Sequence, residues 1–365
     1  MSLLTEGQIV RGTYEVERFL GEGAFAEVYR VRHRFLGRQA MKVFKQTGMT
    51  AAETEAALGE AILLSRIGHP NVVRVFDADV VETARGTCGF FTMEFVAGGS
   101  LERFWQSHGA AFVPVDTVAE IVIQACRGLA VAHAETPPVV HRDIKPQNIL
   151  VGYDATGLRV RVSDFGLAKR VNPLTLLASA RGTRAFKAPE CFLRPEADST
   201  AGDVWALGCT LYLLLTDRLP YGEDENPSAR TANPSAPPAP PSRTNRSCDQ
   251  GLDAVVLRAL DPDPARRYGD ATAVLQALER WKQGGSGAFR TGPSPSTTSK
   301  EAFGTRFSPN EAEARRLAAL ALNTASETGR LADAADQMEE AMNRWPSLRD
   351  EYGYKVSLWR RGVVM

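Results

Sequence analysis

The run His141-Arg142-Asp143-Ile144-Lys145-Pro146-Gln147-Asn148, followed 21 residues after Asp143 by Asp164-Phe165-Gly166, constrains this chain more than any other feature. Strand-like Ile149-Leu150-Val151 and Val160-Arg161-Val162 lie between the two runs. Each polar residue has a separate chemical use. Asp143 can orient an acceptor hydroxyl and take its proton, Lys145 can neutralise a moving phosphoryl group, and Asn148 and Asp164 can bind Mg2+ ions that bridge phosphates. A loose phosphoryl-transfer transition state asks for those parts, because positioning and charge stabilisation do most of its catalysis. His141 reads instead as a core imidazole packed under the turn, and Phe165 as a packing residue.

The rest of the chain bounds the setting. A length of 365 residues with 44% hydrophobic content allows two to three domains and a sizeable core. The 43 basic and 43 acidic residues cancel, so charge points neither to nucleic acid nor to an anionic membrane. Five scattered cysteines with no Cys-x-x-Cys pair indicate neither a disulfide framework nor a zinc site, which suits a reducing cytoplasm. The most apolar stretch, Val204 to Leu215, is shorter than the roughly 20 residues of a membrane helix and is expected to be a buried core helix. No signal or membrane-inserted segment is expected.

Residues 14 to 45 alternate turns with β-rich runs (Tyr14 to Leu20, Glu27 to Arg32, Arg38 to Phe44), residues 51 to 67 switch to helical spacing, and strand signals return at Val72 to Phe76 and Phe90 to Phe95. A mainly helical region follows from about 101 to 283. The class is α+β: a small antiparallel sheet with one main helix, then a larger helical lobe. Gly21-Glu22-Gly23-Ala24-Phe25-Ala26 sits between two strand-like runs, where glycines let a hairpin bend closely over phosphates. Lys42 on the next strand can hold the α- and β-phosphates, paired with a helix carboxylate; Glu60 is the candidate, with Glu55 and Glu53 competing.

Together these motifs resemble a eukaryotic-type bacterial Ser/Thr protein kinase over residues 10 to 283, with an N-lobe at 10–96 and a C-lobe at 97–283. The resemblance implies ATP and Mg2+, with Mn2+ as a substitute. It implies a nucleotide pocket of Leu20, Gly21, Gly23, Val28, Ala40, Lys42, Met93, Leu150 and the Glu94 to Val96 hinge. Leu64, Val75, His141 and Phe165 would form an apolar stack that marks the active state. Ala188-Pro189-Glu190 is similar to the end of a kinase activation segment, Asp203 to the start of the central buried helix, and Arg267 to the arginine that pairs with Glu190. Small-molecule kinases share the two lobes but do not resemble the segment from Asp164 to Glu190, where a peptide acceptor would lie. A pseudokinase scaffold requires a missing catalytic group, and none is missing; only Ala26, in place of a third glycine, departs from the pattern. Lys145 and Thr183 are similar to the Ser/Thr subclass. The resemblance makes Arg142 a grip for a phosphorylated activation-segment residue. Among Thr175, Ser179 and Thr183, Thr175 is favoured as that site and Thr183 as a structural partner of Asp143 and Lys145. A non-specific Ser/Thr protein kinase acting on proteins, itself included, is the resulting expectation.

Two composition shifts complete the organisation. Seven prolines between Pro220 and Pro241 exclude an uninterrupted helix and suggest an extended insert. Gly, Ser, Thr and Pro mark a flexible linker at 284–308. Beyond it, Ala318, Leu322, Gly329, Ala334, Met338, Ala341 and Pro346 recur at spacings that resemble one tetratricopeptide unit, with a capping helix at 347–361. Residues 309–361 are therefore expected to be a small helical module. It either packs on the kinase or on itself, or binds a protein partner.

Overall fold

Period-two burial over residues 14–47 explains the first lobe. Tyr14, Val16, Tyr29, Val31, Met41 and Val43 share one buried cluster with Val81, Cys88 and Phe90. Ala40, Phe91 and Met93 belong to another, against which Val28 and Leu150 pack. Lys42 lies between Met41 and Val43 in sequence, so strand alternation turns it to the second face, the one that looks into the cleft. The computed structural model describes residues 2–23, 25–59, 62–63, 65, 68–109, 112–154, 157–165, 185–193, 197–221, 237–284, 309–325, 330–345, 348–360 and 362–363.

Six strands form one antiparallel sheet: β1 (Ile9–Val10), β2 (Tyr14–Glu22), β3 (Ala26–His33), β4 (Gly37–Thr47), β5 (Val75–Thr83) and β6 (Gly86–Glu94), in the order β1-β2-β3-β4-β6-β5. Helix α1 (Ala51–Ala57) starts in a capping box: Thr50 accepts from Glu53 N, and the Glu53 carboxylate accepts from Thr50 N at 2.8 Å. One strand differs from expectation. The run Val72 to Phe76 does not form a strand as a unit; β5 begins at Val75 and continues through Asp77 and Asp79 to Thr83. As an edge strand it tolerates acidic residues, since Asp77 accepts from the Tyr14 hydroxyl at 2.7 Å and Asp79 pairs with Arg11 at 2.7 Å. Val72 and Val73 instead stitch to Val162 of the second lobe, Val73 N donating to Val162 O at 2.9 Å.

The second lobe is built on α3 (Val115–His133) and α5 (Thr200–Thr216), with α2 (Leu101–Gln106), α4 (Glu190–Leu193), α6 (Gln250–Ala259) and α7 (Ala271–Gly284) around them. Helix α5 is buried on nearly every side, as its largely apolar sequence requires, and each fully buried leucine on it contributes about 2 kcal/mol. The strands β7 (Ile149–Asp154) and β8 (Gly157–Val162) pair in a hairpin that separates the two polar motifs. Among the described residues no helix is long and apolar enough to cross a membrane.

Three further helices follow: α8 (Pro309–Ala325), α9 (Leu331–Arg344) and α10 (Leu348–Arg360). Their shared core is largely alanine (Ala314, Ala318, Ala321, Ala334, Ala335, Ala341) with Met338, Met342, Val356 and Trp359, so α8 and α9 approach closely. Gly329 and Pro346 lie outside the described residues, as do the linker at 285–308 and positions 222–236 of the proline-rich insert.

Candidate active site

Asp203, in the first turn of α5, organises the loop that carries Asp143. It is 2% exposed, and its carboxylate accepts from His141 N at 2.7 Å, Arg142 N at 2.8 Å and His133 Nε2 at 3.1 Å. Ala271 N donates to His133 Nδ1 at 3.1 Å, so the ring proton of His133 sits on Nε2 and points at Asp203. These bonds hold Arg142 at φ 71°, a left-handed backbone that costs a non-glycine residue about 1–3 kcal/mol. Hydrogen bonds to a charged group are worth roughly 1.5–3 kcal/mol each, enough to offset it. His133 escaped the sequence reading; a lone histidine ending an apolar helix carries no signal until its partner is known.

His141 packs as expected. It is fully buried, its ring lies 4.6 Å from that of Phe165, Nε2 donates to Ser163 O at 2.7 Å, and Nδ1 accepts from Asp143 N at 3.3 Å. Asp143 is then fixed from two sides. Asn148 Nδ2 donates to its Oδ2 at 2.9 Å and to its carbonyl at 2.8 Å, and Lys145 Nζ lies 2.8 Å from Oδ2. With Nδ2 so committed, Asn148 keeps its amide oxygen as the end able to meet a cation.

Lys42 crosses the cleft to Asp164, Nζ to Oδ2 at 2.8 Å. Asp164 also has a left-handed backbone, φ 65°, and its Oδ1 is buried without a hydrogen-bond partner among the described residues. An orphaned buried carboxylate oxygen on Asp164, with the amide oxygen of Asn148 as a second oxygen donor, suits a hard divalent cation such as Mg2+. Glu60 and Leu64 lie outside the described residues, as do Gly166, Thr175, Ser179 and Thr183.

Beside these groups Val28 and Leu150 pack against a buried cluster that includes Ala40, Phe91 and Met93, and a small apolar cavity next to it is lined by Val75, Met93, Asp164 and Phe165. Leu20 and Gly21 lie in β2, and Gly23 N donates to Ala26 O at 2.8 Å, closing the turn to β3. Ala26 is in strand β3 opposite Phe44, so its methyl packs in the sheet rather than at the tip of the turn. In the hinge, Glu94 N donates to Arg74 O at 2.9 Å and Val96 O accepts from Gly99 N at 3.1 Å. The Glu94 carboxylate meets Arg161 of β8 at 2.8 Å; burial pushes this carboxyl above its usual range while Arg161 pulls it back.

Away from the cleft, Glu190 and Arg267 form a bidentate pair, 2.7 Å at both contacts. The Arg267 side chain is wholly buried, lies over the Trp205 ring at 4.8 Å, and also donates to the carbonyls of Ala201, Asp261 and Pro262. This locks Ala188-Pro189-Glu190 to α5. Arg142 donates to Val140 O at 2.9 Å and reaches Asp198 at 3.4 Å.

One two-lobed cleft thus brings together a strand lysine, an aspartate held by an asparagine and a lysine, and a carboxylate with an orphaned oxygen. The chain matches the protein kinase domain family over residues 14–279 and belongs to it. It is 33% identical over 278 residues to the serine/threonine-protein kinase PknB of Mycobacterium leprae, covering 74% of this chain and 43% of that protein. It is 30% identical over 291 residues to a human SNF-related serine/threonine-protein kinase, covering 79% of this chain and 35% of that one. The chain thus spans less than half the length of these relatives. Among solved structures, a substituted form of the PknI kinase domain from Mycobacterium tuberculosis superposes with a TM-score of 0.56 at 26% identity, covering 77% of this chain and all of that one.

Proposed function

We propose that the chain transfers the γ-phosphoryl group of ATP to serine and threonine hydroxyls of proteins, its own included. The observation that carries this is the convergence of Asp143, Lys145, Asn148, Asp164 and Lys42 in one cleft, each held by the contacts above. Asp143 takes the proton of the acceptor hydroxyl. The hydroxyl oxygen bonds to the γ-phosphorus as the bridging bond to ADP breaks, and ADP leaves with that electron pair. Lys145 balances charge on the phosphoryl oxygens in flight, and Lys42 steadies the α- and β-phosphates. Asn148 and Asp164 would hold Mg2+, or Mn2+ in its place, which supplies charge neutralisation on the phosphates.

Regulation belongs to the same reading. Phosphorylation of Thr175 gives Arg142 an anionic partner, while Thr183 serves the acceptor site beside Asp143 and Lys145. The catalytic unit occupies 10–283 with a proline-rich insert at 220–241, 284–308 is a linker, and 309–361 is a tetratricopeptide-like module in a cytoplasmic protein. Purified protein with Mg2+, γ-labelled ATP and a generic basic protein substrate tests the central point. Label should appear on serine or threonine, and be lost in Asp143→Asn. Absence of label in the wild type, with nucleotide bound, removes the reading in favour of a scaffold.

A further inference from the structure

Helix α9 touches both lobes at once. Toward the first lobe, Glu340 pairs with Arg18 of β2 at 2.9 Å, and Asp333 and Asp336 flank Arg38 of β4 at 2.9 and 3.4 Å. Toward the second, Asn343 Nδ2 donates to Gly98 O, and Glu339 accepts from Tyr153 N at 3.2 Å. Spacings of three and four place residues 333, 336, 340 and 343 on one helical face. Arg349 of α10 lies over the rings of Phe104 and Tyr153, at 4.4 and 5.1 Å. The hinge, Glu94 to Val96, lines a hollow together with Asp336 and Glu339 of α9 and Arg360 of α10.

The two surfaces are shaped for each other. A Cβ at Gly98 would collide with the backbone oxygen of Val151 in β7 and also meet Asn343 Nδ2, so the chain passes between β7 and α9 as glycine. Glu339, Glu340 and Asn343 are each less than 10% exposed, although charged and amide side chains are seldom buried without partners. Each has a partner on the kinase surface. The alanine-rich core of α8–α10 is small, and Tyr153 of the second lobe packs against it. A polar cavity of about 310 Å3 remains between the hinge and α9–α10, walled by Arg38, Glu94, Arg161, Asp336, Glu339 and Arg360. An interface this polar and incompletely filled can open without the cost of exposing a large apolar face.

We propose that the helices at 309–360 form a releasable brace across the back of the hinge, whose docking fixes the relative position of the two lobes and thereby sets nucleotide affinity. The logic is geometric. Rotation of one lobe against the other moves Arg18 and Arg38 relative to Gly98 and Tyr153, and one rigid helix cannot follow both. Docked, it holds the arrangement in which Lys42 of the first lobe reaches Asp164 of the second. Released, it leaves the hinge free to sample open forms, and apparent affinity falls by the fraction of closed forms lost. The inference rests on the cleft being a nucleotide site, not on phosphoryl transfer.

The test uses the full chain. Hydrogen exchange of 309–360 reports docking, and calorimetry with ADP and Mg2+ reports affinity independently of transfer. Glu340→Arg with Asn343→Ala should speed exchange in the tail and weaken ADP binding roughly fivefold to tenfold, in the range of common coupling strengths. Arg18→Glu, which leaves the tail's own residues intact, should act in the same direction. Joining Arg18→Glu to Glu340→Arg should restore both readouts. A tail that stays protected in all variants overturns these contacts as the ones that hold it. Faster tail exchange with unchanged ADP affinity overturns the brace, and failure of the wild type to bind ADP removes the nucleotide site on which it rests.

Discussion

Asp203→Ala should disable the site from a distance, since Asp203 touches none of the reacting groups. Its carboxylate satisfies two backbone N–H groups, His141 N and Arg142 N, and the His133 ring. Alanine leaves all three donors buried with no acceptor, and each buried unsatisfied donor costs about 1–3 kcal/mol. Taking the two backbone groups as the firm part gives a loss of about 4 kcal/mol, which in a domain of this size lowers Tm by roughly 8–16 °C. The left-handed backbone of Arg142 then loses the two backbone bonds that offset its cost, and Asp143, the next residue, drifts. A misplacement of about 1 Å in a reacting group costs on the order of a hundredfold in kcat. Thermal unfolding followed by circular dichroism, with kcat measured well below the variant's Tm, reads both effects. A Tm within about 2 °C of the wild type, or kcat within twofold, would refute the assignment of Asp203 as organiser of the loop.

The remaining predictions concern other parts of the frame. Arg267→Ala should destabilise the protein by about 3–5 kcal/mol in urea unfolding, because it removes a fully buried partner of Glu190; a loss under about 1 kcal/mol would contradict the buried-pair reading. Burial pushes the Glu339 carboxyl up to about 7, against the pull of Arg360, with Asp336 adding to the rise. The folded state therefore binds the proton more tightly than the unfolded one. The stabilisation is full below the ordinary carboxyl value and is lost as pH rises through about 7. Tail protection, corrected for intrinsic exchange, should fall from pH 5 to pH 8, and Glu339→Gln should flatten the profile. Gly98→Val should destabilise the protein in urea unfolding, through collision with the backbone oxygen of Val151; unchanged stability would contradict the close approach. Chelation of divalent cations should abolish transfer, and Mg2+ or Mn2+ should restore it in the wild type but poorly in Asp164→Asn.

The parts of the fold that could be read in sequence were those whose signal is local. Period-two burial from Tyr14 to Thr47, the apolar run of α5 and the polar run around Asp143 need no knowledge of distant partners. The pairing of Arg267 with Glu190 came from resemblance and reappears as a bidentate contact. What local signal could not supply depended on neighbours far along the chain. The acids of β5 look unlike a strand until its edge position and its partners Tyr14 and Arg11 are known. His133 and Asp203 lie 70 residues apart. The tail's docking face joins residues more than 180 positions apart, although the helical spacing of Asp333, Asp336, Glu340 and Asn343, set against Arg18 and Arg38, was a readable hint of a polar contact surface.

The most direct test of the account as a whole is a single-turnover assay with the full-length chain, γ-labelled ATP and Mg2+, followed by identification of the labelled residues. Transfer to serine and threonine, at least a hundredfold slower in Asp143→Asn with ADP affinity unchanged, is the predicted result. Equal rates in the two proteins, or label confined to tyrosine, would contradict it.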